Sequence, residues 1–61
     1  MASMYNIDDL VIWENEIYVV RSIHYVDYYV YGLVPQDKLE QIIQIMVKES
    51  LLKDYTNKML T

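Results

Sequence analysis

The apolar and polar positions follow two grammars, and the change comes at Pro35. Upstream of it, short β-branched and aromatic runs alternate with polar breaks. Leu10-Val11-Ile12-Trp13 is the first run and predicts a strand. Glu14-Asn15-Glu16 is a polar break of hairpin length, in which Asn15 tolerates a positive φ. Ile17 to Tyr25 is β-branched or aromatic apart from Arg21, Ser22 and His24, which makes it the strongest strand signal in the chain. Val26-Asp27 is a weaker turn signal. Tyr28-Tyr29-Val30-Tyr31 predicts a third strand, ended by Gly32 and Pro35.

Downstream of Pro35, Asp37-Lys38-Leu39-Glu40 has the pattern of a capping box, with Asp37 accepting from the backbone of Glu40 and Glu40 reaching back. Leu39, Ile42, Ile43 and Met46 then recur at helical spacing, and no helix breaker follows up to Thr61. A second apolar line, Ile45, Leu52 and Met59, is offset from the first. The helix therefore either carries two lines or breaks near Glu49-Ser50. At ~1.5 Å per residue, Asp37 to Asp54 spans roughly 27 Å, and at ~3.3 Å per residue Ile17 to Tyr25 spans roughly 30 Å, so such a helix fits along the sheet. The expected fold class is α+β: a three-stranded antiparallel β-meander followed by a C-terminal α-helix. Met1-Ala2-Ser3 ahead of Met4 reads as a vector-derived start, and residues 4–61 read as a single small domain.

This arrangement leaves a face uncovered. With strict alternation, Ile17, Val19, Ile23 and Tyr25 point one way and Tyr18, Val20 and His24 the other, so both faces of the second strand are largely apolar. In the third strand Tyr28 and Val30 lie on one side, with Tyr29, Tyr31 and Leu33 on the other. One helix covers one face, and the remainder is a larger aromatic patch than a monomer usually exposes. The expected remedy is a homodimer, with Tyr18, Val20, Ile45 and Leu52 as its interface.

Composition sharpens the picture. The chain has 61 residues, no cysteine and one histidine. A chain of this size buries only roughly 60% of the surface its unfolded form exposes, so its core is marginal and a partner chain is a natural support. Disulfides and thiolate metal sites are excluded, and no cofactor is expected. The longest stretch without a charge is the nine residues Tyr28 to Gln36, far short of a membrane-spanning helix. With no signal-peptide pattern either, the expected location is cytoplasmic, with no membrane partner. Net charge is −4, unevenly spread: Met1 to Asp37 holds six acids and only Arg21 as a base. A nucleic-acid binder shows a basic stripe, so direct binding of DNA or RNA is disfavoured and a protein partner with a basic surface is favoured.

Seven tyrosines occur with no phenylalanine, five of them between Tyr18 and Tyr31. Tyrosine combines a large contact area with a polar tip and is enriched where proteins bind one another. Tyr28, Tyr29 and Tyr31, with the acids Glu14, Glu16 and Asp27, are the candidate partner-binding residues. Trp13 reads as a core or interface anchor. Lone His24, even with Asp27 within reach, lacks a nucleophile and a pocket, so catalysis is not expected. Asp8-Asp9 and Glu14/Glu16 lack the spacing of a calcium loop, and one glycine cannot make a phosphate loop.

Short length, absence of cysteine, abundant Ile, Tyr, Asn and Lys, and an acidic tyrosine-rich sheet together resemble small phage-encoded inhibitors of bacterial host enzymes and defence systems. Locally, Glu49-Ser50-Leu51-Leu52 is similar to the Glu-Ser-Ile-Leu stretch with which a phage uracil-DNA glycosylase inhibitor engages its enzyme. That stretch is an edge strand in the family and reads as helix here, so no binding role is carried over to these four residues. The resemblance implies a dimeric inhibitor that blocks a nucleic-acid-processing or defence enzyme of a bacterial host, by acidic DNA mimicry. The alternative reading is a regulatory or assembly subunit, or an antitoxin-like dimer, whose tyrosine surface serves only its own assembly.

Overall fold

The computed structural model describes residues 3–55, and from residue 3 to the end of the last strand at Asp54 there is no α-helix. Five strands form one antiparallel sheet: β1 (Leu10–Trp13), β2 (Glu16–Tyr25), β3 (Tyr29–Pro35), β4 (Ile45–Lys48) and β5 (Lys53–Asp54). Their spatial order is β4-β3-β2-β1-β5, and a single 3₁₀ turn, Glu49–Leu51, joins β4 to β5. The expected β-meander with a C-terminal helix is thus corrected to a five-stranded, mostly β architecture among the described residues. The proposed helix is replaced by a loop, two strands and the 3₁₀ turn; Met59, at the end of its second apolar line, lies outside the described residues.

The connection from β4 to β5 sets the shape of the sheet. These strands lie on opposite edges, about 19 Å apart in a flat sheet of five strands spaced by ~4.8 Å. Only residues 49–52 join them, and three of those sit in a 3₁₀ turn that rises ~2 Å per residue. That chain is too short to cross a flat sheet. The sheet must therefore curl until its edges approach, enclosing one face. The enclosed side chains come from every part of the chain: Tyr5, Val11, Tyr18, Val20, Tyr31, Leu33, Val47 and Leu52 form the core, with Trp13, Ile23, Tyr29 and Ile45 packed at its margin. Fully burying side chains such as Tyr31, Leu33 and Val20 contributes roughly 1.5–3 kcal/mol each.

Local chemistry explains the first two hairpins. Glu14 and Asn15 both take positive φ, 53° and 65°, which is the two-residue turn whose twist matches that of paired strands. The second hairpin closes with Tyr25 opposite Tyr29. β3 does not stop at Gly32 but runs to Pro35 at the end of the ladder. Gly32 is needed for close approach, because a Cβ there would collide with the side chains of Ser22 and Gln44.

The register of β2 departs from strict alternation. Val20 faces Leu33, yet Ser22 rather than Arg21 faces Gly32. Arg21 is the extra residue of a β-bulge, and every side chain after it changes face. Tyr18, Val20 and Ile23 thereby share the enclosed side, which strict alternation had divided. The bulge also aims Arg21 outward: its Nη2 donates to the carbonyl of Leu39 at 3.0 Å, and its Nη1 lies 3.8 Å from Asp8. Loop 36–44 and the N-terminal lead-in are thus tied to the middle of β2. Ile12, Val19 and Val34, on the reverse face, are buried as well.

The helix fails for lack of a partner surface. Its apolar line would need burial, but the curled sheet fills its own core. Ile42 and Ile43 are instead 90% and 77% exposed. Asp37 and Glu40 lie in two successive turns, Lys38 N–H to Pro35 O and Gln41 N–H to Lys38 O, in place of a capping box. In β4 the burial alternates, with Val47 inside and Met46 and Lys48 outside, which is the period of a strand.

Candidate partner-binding surface

The tip of the β2–β3 hairpin concentrates exposed apolar surface. Tyr25 is 63% exposed, Val26 75% and Tyr28 48%, while Tyr29 beside them is half-buried. Turns normally carry small polar residues; this one reads Tyr-Val-Asp-Tyr, and only Asp27 is polar. The tip is braced from behind by an aromatic series. The Tyr25 ring lies 4.8 Å from Tyr29, Tyr29 stacks 6.5 Å from Tyr31, and Tyr31 meets Tyr5 edge-on at 5.4 Å inside the core. Across the sheet, the Lys48 ammonium sits 4.5 Å over the Tyr28 ring. These contacts hold the exposed rings in place, and pre-organised aromatic side chains lose little entropy on binding.

The sequence-derived site residues separate into three places. Tyr28, Tyr29 and Asp27 are at this tip. Glu14 and Glu16 are exposed at the opposite end of the ten-residue β2, so the fold does not bring them beside the tyrosines. Tyr31 is wholly buried, with its hydroxyl satisfied inside the molecule. Of the residues assigned to a dimer interface, Tyr18, Val20 and Leu52 are core side chains of a single chain, and Ile45 packs at the core margin. The sequence pattern places them outward because one helix cannot cover two faces; curling of the sheet covers them instead. Tyr25 and Val26 were not among the assigned site residues. The signal for them was the apolar character of the turn itself.

Two other places on the surface bring polar groups together. His24 reaches Ser22, Nε2 to Oγ 2.9 Å, rather than Asp27. The Ser22 hydroxyl donates to Gln44 Oε1 at 2.6 Å, so its oxygen is left to accept from the ring N–H. The ring then acts as donor and cannot take a proton from the serine, which leaves an exposed structural hydrogen-bond chain over Gly32. At the β1–β2 end, an open depression of about 560 Å³ is bordered by Glu16, Tyr18, Pro35, Asp37 and Lys38. It pairs no nucleophile with a base. No group of three or more His, Asp or Glu side chains among the described residues could hold a metal ion.

Burial acts on three tyrosine hydroxyls. It raises the pKa of Tyr31, reinforced by the hydrogen bond to the Glu49 carboxylate. It also raises Tyr5, with Asp54 and Glu49 adding to the effect, and Tyr18, with Glu16 and Glu14 adding to it. All three stay protonated and neutral at physiological pH, so the buried rings serve packing and not acid–base work. Among the described residues no helix is long and apolar enough to cross a membrane. No family model, curated protein or solved structure matches this chain.

Proposed function

We propose that this protein is an interaction module that engages a protein partner through the β2–β3 hairpin tip. The observation that supports this reading most directly is the exposure of Tyr25, Val26 and Tyr28 together on a turn braced by buried aromatic residues. In a chain this small, large apolar side chains left in water on a rigid turn are a cost unless something covers them. Tyrosines of this kind are the usual anchors of binding energy. The acidic first half of the chain favours a basic partner, including the working surface of an enzyme that handles nucleic acid, and inhibition of such an enzyme is the form of binding that suits the charge best. Glu14 and Glu16, remote from the tip, would act on encounter rate and its salt dependence.

The test is capture from bacterial lysate by the immobilised protein, run beside a Tyr25→Ser/Tyr28→Ser variant. Both side chains are exposed, so the variant keeps its fold, which circular dichroism verifies. A protein enriched by the wild type and lost from the variant supports the reading. If everything captured binds the two equally, the tip is not the binding site.

A further inference from the structure

The two edges of the sheet differ in kind. β5 is two residues long, Lys53–Asp54, and both are charged, which is how natural sheets discourage pairing with a neighbour. β4 has no such protection. It is preceded by residues 41–44, which belong to no strand or helix, and Gln41 to Val47 is seven residues without a charge, a proline or a glycine, four of them isoleucine or valine. An uncharged window of high β-propensity on a sheet edge is a template for strand addition. Among the described residues no backbone hydrogen bond reaches the edge of β4 that faces away from β3. The apolar side chains there are exposed too: Ile42 90%, Ile43 77% and Met46 51%.

We propose that this edge pairs antiparallel with the same edge of a second copy, about a two-fold axis at Gln44. The sequence is complementary to itself in that register. Ile43 of one copy lies opposite Ile45 of the other, Ile42 opposite Met46, and Gln41 opposite Val47. Beyond the paired stretch, Glu40 in the 38–41 turn comes to the level of Lys48 of the other copy, an attraction that occurs twice by symmetry. Shifting the register by one residue removes this charge match and moves the isoleucines to the other face. Elsewhere the chain is acidic and repels its own copy, so the uncharged edge with its flanking Glu40 and Lys48 is where two copies meet without penalty. The inference does not depend on the hairpin tip being a partner site.

Sedimentation equilibrium of the intact chain between about 10 and 500 µM tests it, with NMR dispersion as the check of fold. The expected species has twice the 7.3 kDa chain mass. Lys48→Glu, which sets like charges opposite each other twice, should weaken the dimer by roughly tenfold, and Glu40→Lys/Lys48→Glu should restore it to within about threefold of wild type. Ile42→Lys with Ile43→Lys alters exposed side chains only and should give a folded monomer. In Gln44→Cys, a chain with one cysteine on the axis, oxidation should yield a covalent dimer. A wild type that stays monomeric to 500 µM overturns the proposal, as does a dimer indifferent to Lys48→Glu or growth into larger oligomers. Tyr25→Ser/Tyr28→Ser should leave the dimer mass unchanged, which separates this edge from the hairpin tip.

Discussion

The Tyr31 hydroxyl donates a 2.6 Å hydrogen bond to Oε2 of Glu49, joining the middle of β3 to the 3₁₀ turn that carries the chain from one edge of the sheet to the other. The same carboxylate oxygen accepts from the backbone N–H of Met4 at 3.1 Å, and Tyr31 Oη accepts from the N–H of Tyr5 at 3.4 Å. One buried phenol and one carboxylate thus fasten the curl and the N-terminal lead-in together. A hydrogen bond to a charged group contributes about 1.5–3 kcal/mol. Tyr31→Phe should destabilise the fold by about that amount in urea denaturation, with Glu49→Gln costing less because the amide oxygen still accepts. A loss under ~0.5 kcal/mol for Tyr31→Phe would mean that the bond does not fasten the curl.

The same tyrosine gives the protein an alkaline limit. Tyr5, Tyr18 and Tyr31 have folded-state pKa values raised above the ordinary 10.0. Above that pH the unfolded chain loses these protons while the folded one keeps them, so the unfolded state binds fewer protons and stability falls as pH rises. Their contribution is whole below about pH 10 and is lost as pH climbs through the raised values. The urea midpoint should drop as pH rises above about 10, and less steeply in Tyr31→Phe. Equal slopes in the two proteins would exclude Tyr31 from the effect.

The bulge at Arg21 makes a sharp pair of variants. Arg21→Ala keeps the extra residue and loses only exposed contacts to Leu39 and Asp8, at a cost of about 1 kcal/mol or less. Deleting Arg21 removes the bulge and restores alternation without turning any other side chain over, because Ser22 already lies opposite Gly32 and Ile23 opposite Tyr31. The deletion should therefore retain a cooperative unfolding transition, as the alanine variant should. A deletion variant that fails to fold would show that the local twist of the bulge, and not only the register on either side of it, holds β2 against β3.

Glu14 occupies a left-handed conformation, φ 53°, that favours asparagine or glycine over a long side chain. Glu14→Asn should raise stability by roughly 0.5–1 kcal/mol, read as a higher thermal midpoint. If the midpoint falls, the Glu14 carboxylate contributes something that the turn geometry does not reveal.

Asp37 provides a negative control. It starts no helix and sits in a surface turn. Asp37→Ala should therefore change stability by less than about 0.5 kcal/mol, against the roughly 0.5–2 kcal/mol expected for a lost N-cap. A loss in the larger range would point to a contact of Asp37 that stabilises the loop.

The residues up to Pro35 determined their own structure. Leu10 to Trp13, Glu16 to Tyr25 and the run from Tyr29 onward are β-branched and aromatic, and Glu14-Asn15 closes a two-residue turn; these are preferences of neighbours in sequence, and they place three strands and the tyrosine-rich tip. The bulge was not legible, because one inserted residue at Arg21 leaves no mark in an apolar run and is decided by what β3 offers opposite it. Nor was the fate of Leu39 to Leu52. That stretch has both helical spacing and β-branched residues, so local preference is divided. The choice fell to tertiary structure: β3 had an open edge for Ile45–Lys48, the interior had room for Val47 and Leu52, and no face remained for a helix to cover. Burial decides between two periods when propensity does not, and burial depends on strands that are distant in sequence.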